Sequence, residues 1–397
     1  MKLVLVLNAG SSSVKFALID VDHYGNEQDI ARGAVDGIGQ TSRWNVHRSD
    51  GVMNSETTIK DGIASNHNEA LSHIVTWIDK NYGLTSLAGA GHRVVHGGAH
   101  FTKPVRLTAE NIEALRKLVP LAPLHQPHNL AAIDSLTDLA PTLPQIACFD
   151  TAFHSTIPDV GREFALPRSI TALGVKRYGF HGLSYSYIAN ELANKNPELS
   201  KGRVLVAHLG NGASLCAMKE GKSIATTMGF SALDGLMMGT RTGSIDPAVI
   251  FYLMRDQGMS ADDIETLFYQ KSGLLGVSGI SNDMRTLREA AHNNRHAREA
   301  LELFTYRIIR DAGAMIAVLG GIDALVFTAG IGENDRQLRA DLIRGLSFMG
   351  FALDEAANAG KKRKISGEVG PVALVIPTNE EVMIARETAM LIDCKHK

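Results

Sequence analysis

A mixed α/β fold made of two duplicated halves is the fold class that the sequence predicts, on three observations. The first is a turn of small residues, Asn8-Ala9-Gly10-Ser11-Ser12-Ser13, between the apolar runs 3–7 and 14–19. The second is its counterpart about half a chain later, where the runs 204–207 and 215–218 flank His208-Leu209-Gly210-Asn211-Gly212-Ala213-Ser214. Short β-rich runs bounded by Gly, Asn and Ser read as strand, tight turn, strand. The third is an apolar run, 324–327, leading into the Gly-rich bend Thr328-Ala329-Gly330-Ile331-Gly332-Glu333-Asn334. An ordinary strand-to-helix connection, which also favours Gly, is the competing reading of that last segment. A turn with little side-chain bulk lets backbone N–H groups converge on an anion. The paired hairpins therefore predict one polyphosphate held between two related domains.

In chain order, the first half continues from its hairpin into a helix over 68–80, where Leu71, Ile74, Val75 and Ile78 share one face. A second helix, over 108–119, carries Ile112, Leu115, Leu118 and Val119, with Thr108 as N-cap and Pro120 as stop. The strand over 145–149 delivers Asp150 at its C-terminal end, the edge at which open α/β sheets bind ligands. In the second half, Asp246-Pro247 marks a helix start by an N-cap and an N1 proline. Leu301, Phe304, Ile308, Ala312, Met315 and Leu319 form a long helical stripe ending at Gly320-Gly321. After a strand over 372–376 a last helix begins, with Thr378 and Glu381 in capping-box spacing, and runs to about Cys394. No low-complexity linker separates the halves, so a packed hinge is expected near Asp150 and again near the last helix.

Composition narrows the function classes. A length of 397 residues allows two or three domains with large cores. With 21% charged residues and a formal net charge of −2, no nucleic-acid partner is implied. No apolar run approaches bilayer length, and the first strand starts almost at residue 1 without a signal peptide, so a cytoplasmic protein without a membrane partner is expected. Cys148, Cys216 and Cys394 are scattered and read as buried thiols. His92, His96 and His100 have metal-ligand spacing for a helix, but Val94, Val95, Gly97 and Gly98 make this a strand running into a turn.

Two arginines stand among glycines: Arg93 in Gly91-His92-Arg93-Val94-Val95-His96-Gly97-Gly98, and Arg241 in Gly239-Thr240-Arg241-Thr242-Gly243. A planar guanidinium fork in such company suits a carboxylate or a transferring phosphoryl group, with surface ion pairing as the alternative. No G-x-x-x-x-G-K-[ST] segment occurs, which excludes a P-loop ATPase, and the protein-kinase set His-Arg-Asp and Asp-Phe-Gly is absent. In layout the duplicated hairpins resemble the superfamily of sugar kinases, actin and heat-shock ATPases. That resemblance implies two duplicated ribonuclease H-like (actin-like ATPase) domains around a nucleotide cleft.

Six blocks, in order from end to end of the chain, resemble the acetate kinase family. They are Asn8 to Phe16, His92 to Gly98, Phe149-Asp150-Thr151-Ala152-Phe153-His154, Arg177-Tyr178-Gly179-Phe180-His181-Gly182, His208 to Gly212, and Gly330 to Asn334. The resemblance implies reversible phosphorylation of acetate or propionate by ATP, giving the acyl phosphate and ADP. Mg²⁺ is the implied metal, with Mn²⁺ able to substitute, and a homodimer the implied assembly. Residues 1–150 with about 382–397 would form the substrate and phosphate domain, and 151–381 the nucleotide and dimerisation domain.

Carried over residue by residue, Asn8 and Glu381 match the family's magnesium positions, and Ser12 and Lys15 would face the phosphates. Arg93 and Arg241 match its substrate and transition-state arginines, Asp150 its essential acid, His181 its transition-state stabiliser, and His125 a further active-site histidine. Val95, Leu124 and Phe180 would line the acyl pocket with Arg93. The nucleotide would rest on His208, Leu209, Gly210, Asn211 and Gly212, on Asp283, Met284 and Arg285, and on Gly330, Ile331, Gly332, Glu333 and Asn334. A carboxylic acid is already ionised at neutral pH, so the nucleophile needs no base and Asp150 reads as an organiser of metal and arginine. The obstacle is repulsion between an anionic nucleophile and a polyanionic phosphate, which calls for dense positive charge along the in-line path.

The sequence departs from the family pattern at three places. Leu183-Ser184-Tyr185 stands for the usual Thr-Ser-His, Gly229 to Gly235 replaces a Thr-Pro-Leu-Glu core with Ala232 in place of proline, and Ser244 stands where an aspartate is common. Two other functions share the layout. A sugar or polyol kinase would use Asp150 as base, and an actin- or chaperone-type nucleotide switch would need a polymer surface or a peptide-binding domain.

Overall fold

The computed structural model describes residues 2–10, 12–22, 26–39, 41–49 and 64–393. Ser11 of the first turn and Cys394 of the last helix lie outside them. The chain forms two compact units, Met1–Phe153 with Asn379–Lys397, and His154–Thr378.

The first unit is built on a seven-stranded sheet. Its strands are β1 (Lys2–Ala9), β2 (Ser13–Val21), β3 (Glu27–Asp36), β4 (Arg43–Arg48), β5 (Leu87–Val94), β6 (Val105–Arg106) and β7 (Gln145–Phe149), in the order β4-β3-β2-β1-β5-β7-β6. The expected hairpin forms with Ala9 opposite Val14 and Asn8 opposite Lys15, while β5 joins β1 in parallel and β7 joins β5 in parallel. Val4, Leu5, Val6 and Leu7 are all buried, as a strand covered on both faces requires.

Helices follow from caps and stripes. His67–Tyr82 starts at Asn66, whose side chain accepts from the Glu69 N–H, and buries Leu71, Ile74, Val75 and Ile78. Thr108 caps Ala109–Arg116, but that helix stops three residues short of the expected 119, because Pro120 sits inside a separate 3₁₀ turn, Val119–Leu121. The last helix, Glu380–Asp393, packs on β5 through glycines: a Cβ at Gly91 would collide with Thr388 and Ile384. Its expected capping box does not form. The Val382 N–H donates to Asn379 Oδ1 at 3.1 Å, while Thr378 Oγ1 is buried without a hydrogen bond, because the helix starts one residue later than the spacing implied.

The second unit repeats the theme with β8 (Arg203–Leu209), β9 (Ala213–Lys219), β10 (Lys222–Thr226), β11 (Ala324–Thr328) and β12 (Val372–Val375). The order β10-β9-β8-β11-β12 reproduces β3-β2-β1-β5-β7: an antiparallel meander whose first strand is extended by two parallel ones. This is the duplicated α/β architecture the paired hairpins predicted. The long helix Arg295–Leu319 ends at Gly320 in the left-handed region, φ 73°, and buries Ile316 where Met315 was expected. The Gly-rich segment after β11 is not an open bend. It is a six-residue helix, Ala329–Asn334, so the strand-to-helix reading holds there. No helix among the described residues is long and apolar enough to cross a membrane.

Candidate active site

In the first unit, three adjacent strands end on one group of polar side chains: β1 supplies Asn8, β5 Arg93, and β7 leads into Asp150. Arg93 grips Asp150 as a fork, with Nη2 2.5 Å from Oδ2 and Nε 3.1 and 3.2 Å from the two carboxylate oxygens. Its Nη1 donates to Asn8 Oδ1 at 3.2 Å. Asp150 is 1% exposed and the Arg93 side chain 22%, so this is a largely buried pair and not a surface ion bridge. Burial works against the Arg93 charge, but the carboxylates of Asp150 and Glu380 overcome it and hold its pKa above the ordinary value.

Glu380, on the first turn of the last helix, is the acid nearest this pair, with Oε2 4.0 Å from Arg93 Nε. Burial pushes its carboxyl up to about 7; Arg93 opposes the shift, while Asp150 and Glu381 add to it. Glu381 instead faces Arg32 at 3.5 Å and borders a groove shared with Lys15 and His47. Consecutive helical residues point about 100° apart, and only a fixed helix start decides which of the two acids looks toward Arg93. Ser12 and Lys15 flank the hairpin turn as exposed residues.

Beyond β5 the chain leaves the sheet, and side chains replace strand partners. The Val95 N–H donates to Asn129 Oδ1, the His96 N–H to Gln126 Oε1, and the Gly97 N–H to Thr151 Oγ1. Asn129 Nδ2 also donates to the Ala9 carbonyl at 2.8 Å, so one buried amide ties the segment after Arg93 to the turn after Asn8. Neither amide stood out in the sequence. They lie on the helix Gln126–Leu139, whose N-cap is His125; Leu124, just before it, is half-buried, and Val95 is buried. His92 lies in β5 with Nε2 2.7 Å from Gln145 Oε1, and no metal-holding cluster of His, Cys, Asp and Glu occurs among the described residues.

The second unit carries Phe180, His181, Arg241 and the nucleotide candidates. His181 is the N-cap of the helix Gly182–Lys195 and lies in the left-handed region at φ 59°, a strained conformation for a non-glycine residue. The turn is held from beneath, because His154 Nε2 meets the Phe180 carbonyl at 2.9 Å and its Nδ1 meets Ser223 Oγ at 2.8 Å. The His181 ring stacks on His208, centroids 4.1 Å apart, and its Nδ1 lies 2.8 Å from Ser214 Oγ. Arg241 is fixed by donating from Nη1 to the Ala232 carbonyl at 3.0 Å. His181 and Arg241 converge at Gly212 in the β8–β9 turn. A Cβ there would lie 3.2 Å from His181 Nε2 and 3.8 Å from Arg241 Nη1, so the missing side chain leaves a notch walled by two cationic or donor groups.

Six of the nucleotide candidates line one cavity of about 620 Å³: Asn211, Asp283, Met284, Arg285, Ile331 and Asn334. Asn282, Arg288 and Gln337, which sequence reasoning missed, share its wall. Asp283 caps the helix Met284–Ala290, and the Thr286 N–H that it accepts lowers its pKa. Leu209 and His208 are buried at the end of β8, and Gly210 lies in the turn with Gly212. Gly330, Gly332 and Glu333 belong to the six-residue helix; the buried Arg339 donates to the Gly332 and Glu333 carbonyls and fixes its end.

Two of the departures from the family pattern, Ser244 and Tyr185, make local hydrogen bonds. The Ser244 hydroxyl donates to Asp234 Oδ1 at 2.7 Å, and Arg177 pairs with the other oxygen, Oδ2, at 3.3 Å, so an acid is retained in this loop at Asp234. Tyr185 is fully buried with its hydroxyl 2.5 Å from Ser214 Oγ. Cys148 and Cys216 are buried free thiols, and burial pushes Cys216 up to about 12.

Comparison with known proteins identifies the family. The Acetokinase family profile matches residues 3–386. The acetate kinase of Rhodopseudomonas palustris is 50% identical over 98% of both chains. A propionate kinase structure from Francisella tularensis superposes with a TM-score of 0.92 at 38% identity, covering 98% of this chain and 100% of that one. Porphyromonas gingivalis acetate kinase gives 0.89 at 36%, covering 99% and 100%. Neither the sugar-kinase nor the nucleotide-switch reading is favoured by these relatives. With matched blocks running from the first hairpin to the last helix, the chain belongs to the acetokinase family.

Proposed function

We propose that each active-site residue acts in the following way. The protein is an ATP-dependent phosphotransferase with a carboxyl acceptor, moving the γ-phosphoryl group between ATP and acetate or propionate to give the acyl phosphate and ADP. The observation that carries the assignment of roles is the Gly212 notch, where His181 Nε2 and Arg241 Nη1 converge on a gap without a side chain. A phosphoryl group in transfer spreads charge over its equatorial oxygens, and two fixed donors at one gap suit that charge. The cavity bordered by Asn211, Asp283 and Asn334 takes the nucleoside end of ATP.

On the acceptor side, Arg93 holds the substrate carboxylate and masks its charge, while Val95 and Leu124 supply apolar contact for the acyl group. Asp150 is an organiser and not a base: both its oxygens are engaged by Arg93, and a carboxylate nucleophile carries no proton to remove. A polyol kinase would need that carboxylate available to the acceptor hydroxyl. His125 completes the acceptor side as a donor toward the bound acid.

The residues present also suit a hard divalent cation. Mg²⁺ keeps several waters and takes one or two carboxylates plus substrate phosphates, so no three-acid cluster is required. Asn8 and Glu380 offer oxygen donors beside Arg93, and Glu381 reaches the same helix turn from the Lys15 side. When bound, Mg²⁺ or Mn²⁺ supplies charge neutralisation on the polyphosphate.

We expect hydroxylamine-trapped acyl phosphate, measured with ATP and each acid from formate to butyrate, to peak in kcat/KM at acetate or propionate. Formate and butyrate should fall by about 10-fold or more, the weight of a methylene in an apolar pocket. No acyl phosphate from any acid would overturn the reading. A homodimer is supported by large exposed apolar side chains on the second unit, among them Phe251, Tyr252, Leu303 and Tyr306. Sedimentation of a monomer at micromolar concentration would remove it. Two buried, unpaired thiols accord with a reducing, cytoplasmic setting.

A further inference from the structure

We infer that Tyr185 is a positioning residue which, through Ser214, sets the tautomer of His181 so that Nε2 carries the proton facing the Gly212 notch. The inference rests on the role proposed for His181, and its geometry is complete within the second unit. Tyr185 Oη lies 2.5 Å from Ser214 Oγ, which lies 2.8 Å from His181 Nδ1, and neither Tyr185 nor Ser214 is exposed. Three groups thus form a chain from the core to the ring.

Proton placement along it follows from chemistry. Burial raises the Tyr185 phenol well above its usual range, so it keeps its hydrogen. A phenol is also the more acidic of two hydroxyls and the better donor, so Tyr185 donates to Ser214. Ser214 has a single hydrogen and turns it to His181 Nδ1. A neutral imidazole that accepts at Nδ1 carries its proton at Nε2, the atom 3.2 Å from the Cβ position of Gly212. The opposite arrangement, with Nδ1–H donating to Ser214, would turn a lone pair toward an anionic phosphoryl group. Stacking on His208 and the left-handed backbone of His181 hold the ring plane while the hydroxyls choose the proton.

The test is Tyr185→Phe, which removes the oxygen and keeps the ring. In ¹⁵N-labelled full-length protein the two-bond ¹H–¹⁵N correlation of His181, identified by its loss in His181→Asn, should show an unprotonated Nδ1. In Tyr185→Phe, Ser214 is released to accept as well as donate, and Nδ1 should move toward the protonated position. With the donor no longer held at Nε2, kcat should fall about 10-fold while KM for ATP and for the acid stays within about 2-fold. Should Tyr185→Phe not fold, Ser214→Ala removes the same link and should give the same spectral change. A protonated Nδ1 in the unsubstituted protein, or an Nδ1 signal unaffected by either variant, overturns the inference. A spectral change with unaltered kcat upholds the relay and sinks instead the assignment of His181 to the phosphoryl group.

Discussion

Arg93→Ala should lower turnover by about 100- to 1,000-fold, because the anionic acceptor loses the cation that masks its charge against the polyphosphate. It should also destabilise the fold by about 3–5 kcal/mol, because it strips the partner from a buried carboxylate. The second effect is specific to this site. With Arg93 in place Asp150 is 1% exposed and takes three hydrogen bonds from it, so truncating the arginine leaves a carboxylate stripped of its partner in a largely buried setting. Glu380, already pushed up to about 7 by burial, adds a second acid to the same uncompensated space. Adding Asp150→Asn to Arg93→Ala should therefore return much of the lost stability while leaving turnover as low as before. Urea unfolding of the single and double variants, alongside steady-state rates, separates the two roles. A double variant no more stable than Arg93→Ala would show that the pair does not carry the stability assigned to it, and turnover within tenfold of the parent would reject Arg93 as a substrate residue.

Gly212→Ala should lower kcat by about 100-fold, the scale of a misplacement of about 1 Å at the reacting centre. Its methyl group would lie 3.2 Å from His181 Nε2 and 3.8 Å from Arg241 Nη1, in the space that the proposed reaction gives to the transferring group. Gly212 is not in the left-handed region, so alanine fits its backbone and the melting temperature should stay close to that of the parent. ADP affinity by calorimetry should change little, because the 620 Å³ cavity is lined by Asn211, Asp283 and Asn334 and not by Gly212. Gly210→Ala is the control: its Cβ would meet the Gly212 carbonyl at 3.3 Å and Ala329 at 3.7 Å, away from both catalytic side chains. Equal losses in the two glycine variants, or full turnover in Gly212→Ala, would count against the notch as the phosphoryl position.

The parts of this site that were legible in the sequence share one property: their geometry is local. Asn8 opposite Lys15, and His208 opposite Ser214, follow from hairpin turns whose small residues punctuate apolar strands. Asp150 was readable because the apolar run 146–149 closes a short strand just before it. Less was legible where a helix start shifted by one residue. Thr378 and Glu381 satisfied the capping-box spacing, yet Asn379 caps the last helix and Glu380 turns toward Arg93. The partners of Gln126, Asn129 and Tyr185 were not legible. Each acts on a partner distant in sequence, from 29 positions for Tyr185 and Ser214 to 120 for Asn129 and Ala9.

Alone, the sequence determined the duplicated α/β layout, the hairpin turns, the strand end bearing Asp150 and, through six ordered blocks, the family. Those features depend on backbone propensity and turn chemistry, which act over a few residues. Tertiary structure decided which of two neighbouring acids faces Arg93, which amides replace the strand partners of residues 95 and 96, and which hydroxyls reach His181. Those choices depend on the burial of polar groups that must find partners across the chain, and only the packed molecule determines which partner is within reach.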